Sequence, residues 1–85
     1  MKHRTVFRPE AREDLRKLPR SVAMTILRKL TELENDPFGY GTTALVSRPD
    51  LRRLRVGDYR VFYTVENGQL IVYVVAVAHR SEAYR

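Results

Sequence analysis

The sequence predicts an α+β domain in which two N-terminal helices pack on a mainly antiparallel four-stranded sheet, in the order β-α-α-β-β-β. Three observations predict it. Apolar residues recur at helical spacing between Ala11 and Leu33, they alternate at strand spacing from Leu51 onward, and Asn67-Gly68 lies between two alternating runs as a two-residue hairpin signal. With 85 residues, 44% of them apolar, the chain is expected to form one domain over residues 1–85 with one modest core.

Thr5 to Arg8 reads as a short first strand, and Pro9 stands where a helix begins, because its missing N–H costs nothing in a first turn. Ala11, Leu15 and Leu18 then follow at helical spacing, with acidic residues early and basic ones late, so a helix is predicted from Pro9 to Leu18. Pro19 breaks it. Ser21 is the expected cap of a second helix whose stripe is Val22, Ile26, Leu30 and Leu33, a core face by its spacing, and Asn35-Asp36-Pro37 stops it. Phe38 to Pro49 shows no period and reads as a loop. Leu51–Val56, Tyr59–Glu66 and Gln69–Arg80 read as strands joined by Gly57-Asp58 and Asn67-Gly68.

Two-residue turns set a register. Asn67-Gly68 places Arg60 opposite Val75, Phe62 opposite Tyr73 and Thr64 opposite Ile71. Gly57-Asp58 places Arg55 opposite Arg60 and Arg53 opposite Phe62. Side chains alternate between faces, so Leu54, Val56, Tyr59, Val61, Tyr63, Val65, Leu70, Val72, Val74, Ala76 and Ala78 form the face the helices cover. Arg53, Arg55, Arg60, Phe62, Tyr73, Val75, Val77 and His79 form the other. Like charges directly opposite each other destabilise a sheet, so Arg55 facing Arg60 calls for an anion between them. A longer Gly57-Asp58 connection would instead shift Arg55 by one position and remove the pairing.

The chain carries 16 Lys and Arg against 10 Asp and Glu, a formal charge of +6, and 13 of the cations are arginine. Arginine grips phosphate bidentately and stacks on bases, which points to a polyanionic partner; a solubilising surface is the plainer alternative. The absence of cysteine excludes disulfides, thiolate metal sites and thiol nucleophiles, and His3 and His79 are too far apart in sequence to suggest a metal centre, so no metal and no cofactor are expected. The longest apolar stretch, Leu70 to Ala78, is about half of the ~18 residues a membrane span needs. No apolar core follows the basic start, so no signal peptide is read there, and the expected address is the cytoplasm, with no membrane partner.

The stretch Arg53-Leu54-Arg55-Val56-Gly57-Asp58-Tyr59-Arg60-Val61-Phe62-Tyr63, the ending His79-Arg80-Ser81-Glu82-Ala83-Tyr84 and the start Phe7-Arg8-Pro9-Glu10-Ala11 resemble the RelE/ParE superfamily of bacterial toxin–antitoxin toxins, over nearly the whole chain. The resemblance implies a curved, microbial RNase-like antiparallel sheet under two helices. In the RelE-like branch it implies a ribosome-dependent mRNA endonuclease that inhibits translation, held inactive by an acidic, RelB-like antitoxin. It carries site roles to Arg53, Arg55, Arg60, Arg80 and Tyr84; Arg55, Arg60, Arg80 and Tyr84 are the expected catalytic residues, and Arg48, Arg52, Arg53 and His79 the expected RNA contacts. Where some relatives carry a basic residue before the second of these strands this chain has Val46, and Arg48 is the candidate replacement. A ParE-like inhibitor of DNA gyrase and a non-toxic basic nucleic-acid-binding module are the rival readings.

The implied chemistry is attack of an RNA 2′-hydroxyl on the adjacent phosphate without metal. Arg60 and Arg80 would hold the phosphate, and Arg53 and Arg55 would shape the charge around it. Neither tyrosine nor arginine is a ready base at pH 7, but neighbouring arginines favour the tyrosinate, a reason to place Tyr84 beside them. His79 has the better pKa for proton transfer and is equally an ordinary polar residue at a strand end. The plainer alternatives are a packed tail aromatic for Tyr84 and a salt bridge to Glu82 or Asp58 for Arg80.

Overall fold

The computed structural model describes residues 2–39, 41–45, 48 and 50–77. Strand β1 (Arg4–Phe7) leads into helix α1 (Pro9–Arg16) and helix α2 (Arg20–Leu33), followed by β2 (Thr42–Ala44), β3 (Arg52–Val56), β4 (Tyr59–Glu66) and β5 (Gln69–Val77). Among the described residues the sheet has five strands, in the order β1-β5-β4-β3-β2. Only β1 and β5 run parallel; the other pairs are antiparallel. The α+β class and the two helices on a mainly antiparallel sheet are as expected, with one strand more. The addition is β2, a three-residue edge strand within the span read as a loop, pairing Thr42 with Leu54 and Ala44 with Arg52.

Helix α1 ends two residues sooner than its apolar spacing suggests. Leu18 precedes Pro19, whose ring disfavours helical backbone at the residue before it, and the Lys17 and Leu18 N–H groups close a tighter turn onto the Asp14 and Leu15 carbonyls. Helix α2 begins directly after Pro19, which takes the cap position expected of Ser21. Ser21 lies inside the helix, and its carbonyl accepts from the Thr25 hydroxyl.

The helices cover one face of the sheet, α1 against β5 and α2 against β3. Ala11, Ile26, Leu30 and Leu33 meet Leu54, Val56, Val61, Tyr63, Leu70, Val72 and Val75 in a single core. The Tyr63 hydroxyl donates to the Pro37 carbonyl, anchoring the segment that follows α2. Both hairpins have the expected two-residue turns, with Val56 facing Tyr59 and Glu66 facing Gln69. Asn67 and Gly68 take φ of 50° and 74°, and Gly57 takes 57°, the positive values such tight turns require.

The β4–β5 register departs from the expected one. It follows the turn from Glu66↔Gln69 to Tyr63↔Val72, then resumes at Phe62↔Val74, leaving Tyr73 as an extra residue in a β-bulge. Beyond the bulge every β5 side chain changes face. Val75 enters the core at 5% exposure, Val74 turns outward at 40%, and Ala76, not Val75, faces Arg60. The expected placement of Val74 and Ala76 inside and Val75 outside is therefore reversed.

Candidate functional site

The sheet face opposite the helices carries the arginines. Arg53 and Arg55 alternate with the buried Leu54 and Val56 along β3, and Arg60 precedes the buried Val61 on β4. Arg55 stands directly opposite Arg60, and Arg53 opposite Phe62. This second pair out from the turn is of the non-hydrogen-bonded kind, the Arg55 N–H donating to the Gly41 carbonyl on the other side, and in such pairs Cα atoms are only ~4.5 Å apart and side chains are nearest. The backbone thus sets two arginines side by side. None of Arg53, Arg55 and Arg60 forms an ion pair among the described residues, whose salt bridges all lie elsewhere. Three arginines on adjacent strands, with no ion pair among the described residues, can hold a phosphate group.

A cavity of about 550 Å³ opens farther along the same face. Phe62, Thr64, Tyr73 and Val74 line it from β4 and β5, Glu66 from the end of β4, and Arg48, Asp50 and Leu51 from the connection between β2 and β3. The bulge builds this cavity, because it turns both Tyr73 and Val74 to the open side. Arg8, at the start of α1, places its guanidinium 5.6 Å from the centre of the Tyr73 ring, within cation–π range.

Arg48 lies on this cavity and is exposed, with its Nη2 3.4 Å from Asp50 Oδ2. Arg52 does not join the arginine face. It has the parity of Leu54 and Val56, donates from Nη2 to the Thr42 hydroxyl at 2.8 Å, and lies 4.9 Å from the centre of the Phe38 ring. Its work in this fold is to tie β3 to β2 and to the segment after α2. His79, Arg80 and Tyr84, together with Val46, lie outside the described residues. Thr64 and Glu66 were not among the expected site residues, although they share strand parity with Arg60 and Phe62; alternation along β4 was the signal available. Among the described residues no group of three His, Asp or Glu side chains is arranged to hold a metal ion, and no helix is long and apolar enough to cross a membrane.

A family model described as ParE toxin of type II toxin–antitoxin system, parDE, matches residues 5–84. Toxin RelE of Mycobacterium tuberculosis is 33% identical over 76 residues, 88% of this chain and 78% of that protein. Toxin RelG of the same organism is 30% identical over 93% of this chain and 92% of its own. Among solved structures, the isolated Escherichia coli RelE toxin superposes with a TM-score of 0.82 at 28% identity, over 96% of this chain and 90% of that one. The archaeal RelE–RelB complex from Pyrococcus horikoshii matches with a TM-score of 0.81 at 25% identity, over 94% of this chain and 99% of the matched chain.

Proposed function

This chain belongs to the family of ParE toxins of type II toxin–antitoxin systems, within the RelE/ParE superfamily, and from that premise we propose that it is a ribosome-dependent mRNA endonuclease. The observation that carries the reading is the Arg55–Arg60 pair, held face to face across a hairpin with Arg53 beside it and no carboxylate partner among the described residues. A fold does not retain such repulsion for stability; an intervening phosphate removes it.

In the proposed reaction the RNA 2′-oxygen forms a bond to the adjacent phosphorus while the bond to the 5′-oxygen breaks, and charge builds on the phosphoryl oxygens between. Arg60 and Arg55 meet that charge with donors already in place, the form of stabilisation that is strongest where reorganisation is least. No step of this scheme requires a metal ion. Val77 pairs with Tyr59 at the arginine end of the sheet. Arg80, three residues farther along the chain, is the proposed further donor to the same phosphate. Tyr84 is the proposed proton carrier: its tyrosinate, favoured by the arginines, takes the 2′-hydroxyl proton and the resulting hydroxyl returns it to the departing 5′-oxygen. A site of this kind has no strong base, so it depends on the ribosome to hold the 2′-oxygen in line. The cytoplasm is the compartment where that substrate is met. The solved relatives captured with RelB support a separate antitoxin as partner, and the +6 charge favours an acidic one.

The family description also names ParE, which keeps gyrase inhibition as the competing activity. Arg60→Ala and Arg55→Ala are each expected to lower cleavage of ribosome-bound mRNA by about 100-fold or more, on the scale of losing one preorganised donor, with unchanged circular dichroism. Tyr84→Phe should slow single-turnover cleavage while ribosome affinity stays the same. Primer extension on stalled ribosomes checks all three. If expression stops DNA supercoiling while translation continues, the gyrase reading replaces this one.

A further inference from the structure

The cavity beside the arginines differs from them in chemistry. Along β4, Arg60, Phe62, Thr64 and Glu66 share one face, and a rise of ~3.4 Å per residue sets Phe62 about 7 Å and Thr64 about 14 Å from Arg60. Glu66 lies about 20 Å from Arg60 on the same rise, and along that length the surface changes from cationic to aromatic and then acidic. Asp50 is occupied by Arg48 at 3.4 Å, whereas Glu66 has no ion pair among the described residues. Thr64 is only 7% exposed, and its hydroxyl has no hydrogen-bond partner among the described residues. A buried hydroxyl left unpaired costs about 1–3 kcal/mol, a cost that a bound polar group can relieve. A carboxylate without an ion pair among the described residues repels phosphate at the mouth, so the cavity does not extend the phosphate grip. Ring faces from Phe62 and Tyr73, an accepting carboxylate and an unpaired hydroxyl suit a flat heterocycle with hydrogen-bond donors on its edge.

We propose that this cavity takes a nucleobase bearing an exocyclic amino group, from the same RNA whose phosphate lies on Arg55 and Arg60, and that it selects against uracil. The amino group of cytosine, adenine or guanine donates to Glu66, and the Thr64 hydroxyl pairs with a neighbouring polar atom of the ring. Uracil has no amino group, and its one edge N–H is flanked by two carbonyl oxygens that meet the Glu66 carboxylate with repulsion. The inference rests on the reading of this face as RNA-binding and adds base selectivity at a place that reading does not use.

The test titrates the isotope-labelled full-length protein with short 2′-O-methyl oligocytidine and oligouridine, followed by amide NMR shifts. The two probes have equal charge and nearly equal size, and neither can be cleaved because the attacking oxygen is blocked. Oligocytidine is expected to bind roughly tenfold more tightly, the lower end of the discrimination given by one good edge contact, and to move the Thr64, Glu66 and Val74 amides. Glu66→Gln should bring the two affinities within about twofold of each other, and Thr64→Val, which keeps the side-chain shape, should weaken oligocytidine selectively. Arg60→Ala should weaken both probes alike. Equal affinity for the two probes, with both lost in Arg60→Ala, overturns base selection and leaves the RNA-binding face standing. Binding of both probes that Arg60→Ala does not weaken overturns the reading of the face itself, and the inference with it.

Discussion

Arg55 and Arg60 oppose each other on neighbouring strands, and their interaction has a sign that can be measured. Like charges in directly opposed positions destabilise by roughly 0.2–1 kcal/mol, and no ion pair among the described residues offsets the effect. Arg55→Thr removes the repulsion and substitutes a residue that suits a strand. It should raise the melting temperature by about 1–8 °C, given that ~1 kcal/mol moves a domain of this size by ~4–8 °C, while lowering cleavage. Thermal denaturation at low salt checks the first part, and the gain should shrink as salt screens the pair. A variant that is both less stable and less active would show instead that Arg55 has a packing role. The pair was legible in the sequence because Gly57-Asp58 closes a two-residue turn, which fixes the partners of its flanking residues. Arg52 was not legible in the same way. Composition counts it with its neighbours, yet one step along a strand turns it to the other face, where Thr42 and Phe38 hold it.

The β5 strand shows where sequence patterning stops giving information. From Leu70 to Val77 every residue except Tyr73 is aliphatic, so no alternation marks which side is inward, and a one-residue slip leaves the hydrophobic pattern unchanged. The turn carries the register as far as Val72; the bulge at Tyr73 then reverses it. Strand β2 escaped notice for a related reason, since Thr42, Thr43 and Ala44 include no buried residue. The observed register predicts that Val75→Ala costs about 2 kcal/mol, from two buried carbons and the cavity they leave, and that Val74→Ala costs under about 0.5 kcal/mol. Urea denaturation of the two variants checks this, and a straight ladder would give the reverse order. At the other end of the fold, Glu34 links the end of α2 to β1 by accepting from the Thr5 hydroxyl at 2.7 Å and the Thr5 N–H at 3.1 Å. The Thr5 hydroxyl chiefly, with the Thr5 N–H and Lys2, holds the Glu34 carboxyl below its ordinary value of 4.5 against the opposing effect of burial. A lowered carboxylate pKa adds stability that is complete above the unfolded value and is lost as pH falls through the folded one. Glu34→Gln should therefore be less stable than the parent at pH 7, with the difference narrowing below about pH 4.5 and vanishing in stronger acid. Melting temperatures measured across that range check it, and a difference independent of pH would assign the effect to hydrogen bonding alone.

For the whole molecule, net charge and its placement govern how partners arrive. A chain of +6 with unpaired arginines on one sheet face attracts polyanions from beyond contact distance, and the same field draws in an acidic antitoxin and the ribosome alike. On the proposed reading the two compete for one surface, and an antitoxin that covers Arg55 and Arg60 would inhibit by occupying the phosphate position. Opposite fields raise association rates from ~10⁵–10⁶ M⁻¹s⁻¹ toward ~10⁸ M⁻¹s⁻¹ or more at low ionic strength. Salt removes that advantage once the screening length falls from ~10 Å at 0.1 M to ~3 Å at 1 M. The association rate with a cognate acidic antitoxin should accordingly fall by at least about tenfold between those salt concentrations, and dissociation should change much less, because apolar contacts such as those offered by Val74, 40% exposed, are insensitive to screening. Stopped-flow mixing measures both rates. Charge steering should also make the Arg55→Thr association slower at low salt and indistinguishable from the parent at high salt. An association rate independent of salt in both proteins would mean that the antitoxin docks away from the arginine face and inhibits by another route.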